Sequence, residues 1–198
     1  MDMNSLTQKS QEALTSAQSI AVQAGQIETD EEHLLLALLQ QEEGLVPRLL
    51  QTAGADVEAV RADVEAEIAR KDHRRIQMGL SIAKFPCVRT LDTFDFDAQP
   101  SVDPRQVREL ATGRWVANGD ALLLLGPQGV GKTHLAIGLG REVIQRGYTV
   151  LFTTAATLLA QLAKAQHENR LEDKLLHFTK PKLLIIDELG YLPLEPDA

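Results

Sequence analysis

The chain has 198 residues, of which 44% are hydrophobic, and a formal net charge of −8, so it can bury one good core and one small one and is not drawn to polyanions by its overall charge. A single cysteine, Cys87, excludes an internal disulfide, and no Cys/His spacing suits a metal site. No secretory apolar region follows Met1 and no apolar run is long enough to span a bilayer, so a cytoplasmic protein without membrane contact is expected.

Residues 1–70 carry 13 acids against 4 bases, net −9, whereas 71–198 carry 15 against 16, net +1. That asymmetry argues for two modules of different origin. In the first, Leu6, Ala13, Leu14, Ala17, Ile20, Ala21 and Ala24 recur at helical spacing behind a capping-box pattern, Ser5 with Gln8. A second helix opens at Thr29 to Glu32, another capping box, and runs through Leu34, Leu35, Leu38 and Leu39 to Gly44. Pro47 can open a third, and Asp56 can cap a fourth that buries Val57, Val60, Val64 and Ile68. Four short helices in so few residues make a small all-α module.

Residues 71–102 read as a linker and irregular lead-in. Lys71, His73, Arg74 and Arg75 form a basic cluster at the join, best read as a solvated linker. Irregular chain is expected from Met78 to Asp103, and a helix starts at Asp103-Pro104 and ends near Gly119. Trp115 and Tyr148 read as packing residues, and His33, His134, His167 and His177 as ordinary helix residues.

Residues 103–198 contain the chemistry. Ala121 to Leu125 is an unbroken apolar run, as a buried parallel strand requires, and Gly126-Pro-Gln-Gly-Val-Gly-Lys-Thr133 follows it. From Lys132 onward Leu135, Ile137, Leu139, Val143 and Ile144 mark a helix that stops at Gly147. Glycines at 126, 129 and 131 let the loop curl so that its N–H groups point inward, and the following helix presents its positive end to the same anion. The guest this chemistry suits is a polyphosphate such as ATP or ADP. Gly126, Pro127, Gln128, Gly129, Val130, Gly131, Lys132, Thr133 and His134 are the candidate binding residues. Lys132 reaches the β/γ-phosphates and Thr133 supplies an oxygen to Mg²⁺. Downstream, Lys182-Leu-Leu-Ile-Ile-Asp-Glu188 is a buried strand ending in two carboxylates. Asp187 can hold the Mg²⁺ water shell while Glu188 polarises the attacking water.

The stretches Phe85-Pro86, Thr90-Leu-Asp-Thr-Phe-Asp-Phe96, Gln99 to Ser101, Gln106 to Ala111, Leu124 to Ala136, Val150 to Ala155 and Leu183 to Pro193 carry a resemblance. From about Arg74 the chain resembles the IstB-like transposition helper ATPases of the DnaC-type AAA+ class. The resemblance implies an α/β P-loop NTPase, a parallel sheet with flanking helices, acting with a transposase and DNA. It also implies that Lys132, Thr133, Asp187 and Glu188 hold the nucleotide and metal roles argued above.

Residues Met1 to Leu14, Glu32 to Leu39 and Pro47 to Leu50 are similar to the first repeat of the amino-terminal domain of ClpB-type disaggregases. Half of such a pseudo-symmetric domain leaves an apolar face that meets the ATPase part, is a sticky surface, or pairs with a second copy. In the resembled ATPases the fourth strand lies between the loop strand and the strand of Asp187, so the core is expected to be an incomplete AAA+ core, truncated after that strand. With no sensor, arginine finger or lid, nucleotide binding is expected with hydrolysis near background and no duplex binding. A Clp-type chaperone adaptor and a non-functional chimeric fragment are the alternative readings.

Overall fold

The computed structural model describes residues 7–26 and 28–191, and divides into two compact units, 1–75 and 76–198. Ser5, Leu6 and Pro193 lie outside the described residues.

The first unit contains α1 (Gln8–Gln23), α2 (Glu31–Leu39), α3 (Leu45–Thr52) and the start of α4 (Val57–Ala83). Ala13, Ala17 and Ala21 stack at i, i+4 spacing on α1 and are all buried, so the neighbouring α2 can approach closely. Leu36, Leu39 and Val64 form the core of the unit, ringed by Ile20, Val46, Leu50, Val57, Val60 and Ile68. Thr7 caps α1, accepting from the Ser10 N–H at 3.3 Å. The cap of α2 falls one residue later than the sequence pattern suggests: Asp30 is the N-cap, and its N–H donates to His33 Nδ1 at 3.0 Å. Gly44 caps α3, with Pro47 within its first turn, and Asp56 Oδ1 accepts from the N–H groups of Glu58 and Ala59 at the start of α4. Val22, Leu45 and Leu49 remain exposed.

Helix α4 corrects the expectation for the join. It continues to Ala83, through the basic cluster and into the stretch read as irregular. No Gly or Pro interrupts 71–78, and Ile76, Leu80 and Ala83 have a core to enter, so helical geometry persists. Lys71, expected as a solvated linker charge, is exposed and its ammonium also pairs with Glu32 on α2.

The second unit is built round α7 (Lys132–Gln145). All five apolar positions read from the sequence, Leu135, Ile137, Leu139, Val143 and Ile144, are buried. One cluster joins Val143 and Ile144 to Ala83, Val116 and Val150; another joins Leu135 and Leu139 to Phe94 and Val107. The expected single helix from Asp103 to Gly119 is two, α5 (Pro104–Ala111) and α6 (Arg114–Asn118), broken at Gly113, whose φ of 72° no helix interior accommodates. Trp115 packs beside Val116 and its indole N–H donates to the Leu110 carbonyl at 2.9 Å.

Strands β1 (Val150–Thr154) and β2 (Leu183–Asp187) form a parallel pair in which Val150 faces Leu183 and Thr154 faces Asp187. They are joined through α8 (Ala155–His167) and α9 (Leu171–Thr179). Among the described residues the sheet has these two strands, and the strand expected at Ala121–Leu125 is absent. Leu122 and Leu124 pack on the Phe94 cluster while Leu123 and Leu125 are 73% and 86% exposed. The segment has a strand's alternation without a ladder partner, and extended backbone becomes sheet only through inter-strand hydrogen bonds. Among the described residues no helix is long and apolar enough to cross a membrane.

Candidate functional site

The loop Gly126 to Gly131 leads directly into α7. Gly131 is the N-cap, with φ 88°, a left-handed conformation that costs a residue with a Cβ roughly 1–2 kcal/mol. Space forbids a side chain there as well, since a Cβ on Gly131 would lie 2.6 Å from Phe94 Cε2. The N–H groups of Lys132, Thr133 and His134 belong to the first turn, where no intrahelical acceptor exists, so they face out of the helix end as donors.

Lys132 Nζ donates to the carbonyls of Gly126 and Pro127, at 2.8 and 2.6 Å, so its cation sits against the start of the loop. Thr133 Oγ1 donates to Asp187 Oδ2 at 2.8 Å. This contact joins the beginning of α7 to the carboxyl end of β2 across 54 positions of sequence. The intervening packing explains it: a Cβ on Gly140 would meet Ile185 Cδ1 at 2.8 Å, so α7 lies directly against β2. Glu188 follows Asp187, is exposed, and has φ 60°. A non-glycine residue in that region stores roughly 1–3 kcal/mol of strain. Gly126, Pro127, Gln128 and Gly129 are exposed on the loop, with Val130 half-buried below.

His134 stands apart from the other candidate residues. Its ring points to the lead-in chain: Nε2 lies 2.8 Å from the Thr90 carbonyl and 3.2 Å from Thr93 Oγ1, and Phe94 meets it edge to face at 5.3 Å. From sequence, Thr90, Thr93 and Phe94 stand out only as part of the Thr90–Phe96 stretch that carries the resemblance. The lead-in has no hydrophobic period, and its contacts depend on a tight 3-10 turn at Leu91–Thr93.

A phosphate-type loop on a helix N-terminus, fastened to a carboxylate at the end of a parallel strand, defines the class of P-loop ATPase domains. The family model for IstB-like ATP binding protein matches residues 29–198, and the chain belongs to that family. The match begins within the helical segment, ahead of Arg74. Over 135 residues the chain is 52% identical to a protein of Geobacillus stearothermophilus named as an ATP-binding protein of insertion sequence IS5376, covering 68% of this chain and 54% of that one. It is 46% identical over 124 residues to the corresponding IS21 protein of Pseudomonas aeruginosa, covering 63% and 47%. It is 36% identical over 173 residues to that of IS232 from Bacillus thuringiensis, covering 87% and 69%. The chain thus spans about half the length of the first two of these relatives.

Proposed function

We propose that this chain binds Mg-ATP through Gly126 to His134 and serves as the ATP-handling part of an insertion-sequence transposition helper. The observation that carries the reading is the 2.8 Å contact between Thr133 and Asp187, because it assembles the hydroxyl and the carboxylate that a phosphate-bound Mg²⁺ needs. Both are hard oxygen donors, so the residues fit the metal. Thr133 and Asp187 would hold the Mg²⁺, which would supply charge neutralisation for the polyphosphate. Lys132 would exchange its loop carbonyls for phosphate oxygens, the first-turn N–H groups would donate to the remaining phosphate oxygens, and Glu188 would orient water for attack on the γ-phosphate.

The relatives' names attach them to insertion sequences. For this chain that supports a transposase as protein partner and DNA as the substrate of the assembly, working in the cytoplasm. The exposed Val22, Leu45 and Leu49 support self-association through the module 1–70, ahead of the lead-in 71–102 and the core 103–198. Calorimetry with Mg-ATP tests the reading. Binding is expected in the wild type and absent in Lys132→Ala; equal affinity in the two would overturn it.

A further inference from the structure

The residues ahead of the loop are fastened to it at three points. His134 Nε2 meets the Thr90 carbonyl at 2.8 Å, and because a carbonyl only accepts, Nε2 carries the hydrogen. Thr93 Oγ1, itself donating to the same Thr90 carbonyl at 2.9 Å, lies 3.2 Å from Nε2 and shares that hydrogen. The Phe94 ring lies against both the His134 ring and the α-carbon of Gly131, the residue whose left-handed turn starts α7. One turn further along α7, Leu91 covers Gly138, where a Cβ would come within 2.6 Å of Leu91 Cδ2. The ring of His134 is thus engaged with the lead-in, while its own N–H belongs to the first turn of α7, whose donors have no intrahelical acceptor.

Resting on the reading of the loop as a nucleotide site, we infer that His134 is a positioning residue for triphosphate binding. Its Nε2–H holds the Thr90–Phe94 turn, the turn holds Phe94 on Gly131, and Phe94 keeps Gly131 in the conformation that aims the first-turn N–H groups at phosphate. A donor anchored at both ends loses little freedom when the anion arrives, and that preorganisation is what the latch contributes. His134 does not contact the phosphates through its ring.

The test compares wild type, Lys132→Ala, His134→Ala and His134→Gln in the full chain. Gln is chosen because its side-chain amide N–H can occupy the place of Nε2–H. Mg-ATP affinity is read by calorimetry, and amide hydrogen exchange of Gly129 to Thr133 is read without nucleotide. His134→Ala is expected to weaken binding about tenfold, the scale of one lost hydrogen bond with its loop, while His134→Gln restores most of it. Exchange at Gly131 to Thr133 is expected to rise in His134→Ala and return in His134→Gln, with β1 amides unmoved. If His134→Ala binds as tightly as wild type while Lys132→Ala does not bind, the latch is refuted and the loop reading survives. If wild type itself binds nothing, the loop reading fails, and the exchange data decide the latch: unchanged exchange in His134→Ala refutes it. Equal losses in Ala and Gln refute the donor role.

Discussion

Replacing Gly131 with Ala probes the junction on which the proposed site depends. The added methyl meets two separate costs. At φ 88° a residue with a Cβ pays about 1–2 kcal/mol for the left-handed region. The same Cβ would lie 2.6 Å from Phe94 Cε2, 3.4 Å from Cζ and 3.6 Å from Cδ2, and forcing a methyl against a ring that is 8% exposed costs about 1–3 kcal/mol in displaced packing. Together about 2–5 kcal/mol is expected, read as a lowered urea midpoint with an unchanged slope. The two costs separate in a double-mutant cycle. Phe94→Ala alone is expected to cost about 3–5 kcal/mol, but in that background Gly131→Ala should cost only the conformational part, about 1–2 kcal/mol. Strict additivity would refute the ring contact, and a Gly131→Ala penalty below about 0.5 kcal/mol would refute the strained turn as well.

At Glu188 the sign should reverse. Because φ is 60°, Glu188→Gly relieves local strain that offsets the entropy glycine adds to the unfolded chain, so stability should stay level or rise by up to about 1 kcal/mol. The same change at Glu142, within α7, should lower it by about 1 kcal/mol; equal losses in paired unfolding curves would contradict the assignment. The hydrogen bond from Lys71 holds the Glu32 carboxyl below its ordinary 4.5. A depressed folded value contributes stability that is complete above 4.5 and disappears as pH falls through the lower folded value. Denaturation from pH 6 to pH 3 should therefore show wild type losing more stability than Glu32→Gln, and parallel curves would argue against the pair.

Local chemistry made the elements of the proposed site readable from the sequence. The glycines of the loop and the helical period of Leu135 to Ile144 rest on interactions within a few residues, so α7 stands where its pattern puts it, whereas the apolar run ending in Asp187 becomes β2 only by pairing with β1, and the strand expected to be buried is half-buried with Ile186 exposed. Helix breaks and continuations were less legible. Gly113 is compatible with a helix from sequence alone but adopts a left-handed turn here, and α4 continues to Ala83 where Ile76 and Leu80 pack against the core cluster that contains Val143 and Ile144. Two decisions belonged to tertiary structure alone. Ala121–Leu125 has the apolar pattern of a strand, but sheet formation requires a hydrogen-bonding neighbour that no local pattern can supply. His134 is one more polar residue on a helix until Thr90, Thr93 and Phe94 fold back over it. The identity of the loop is written in its own residues, while the contacts that hold it in shape come from a segment some 40 positions away, and only the folded chain brings the two together.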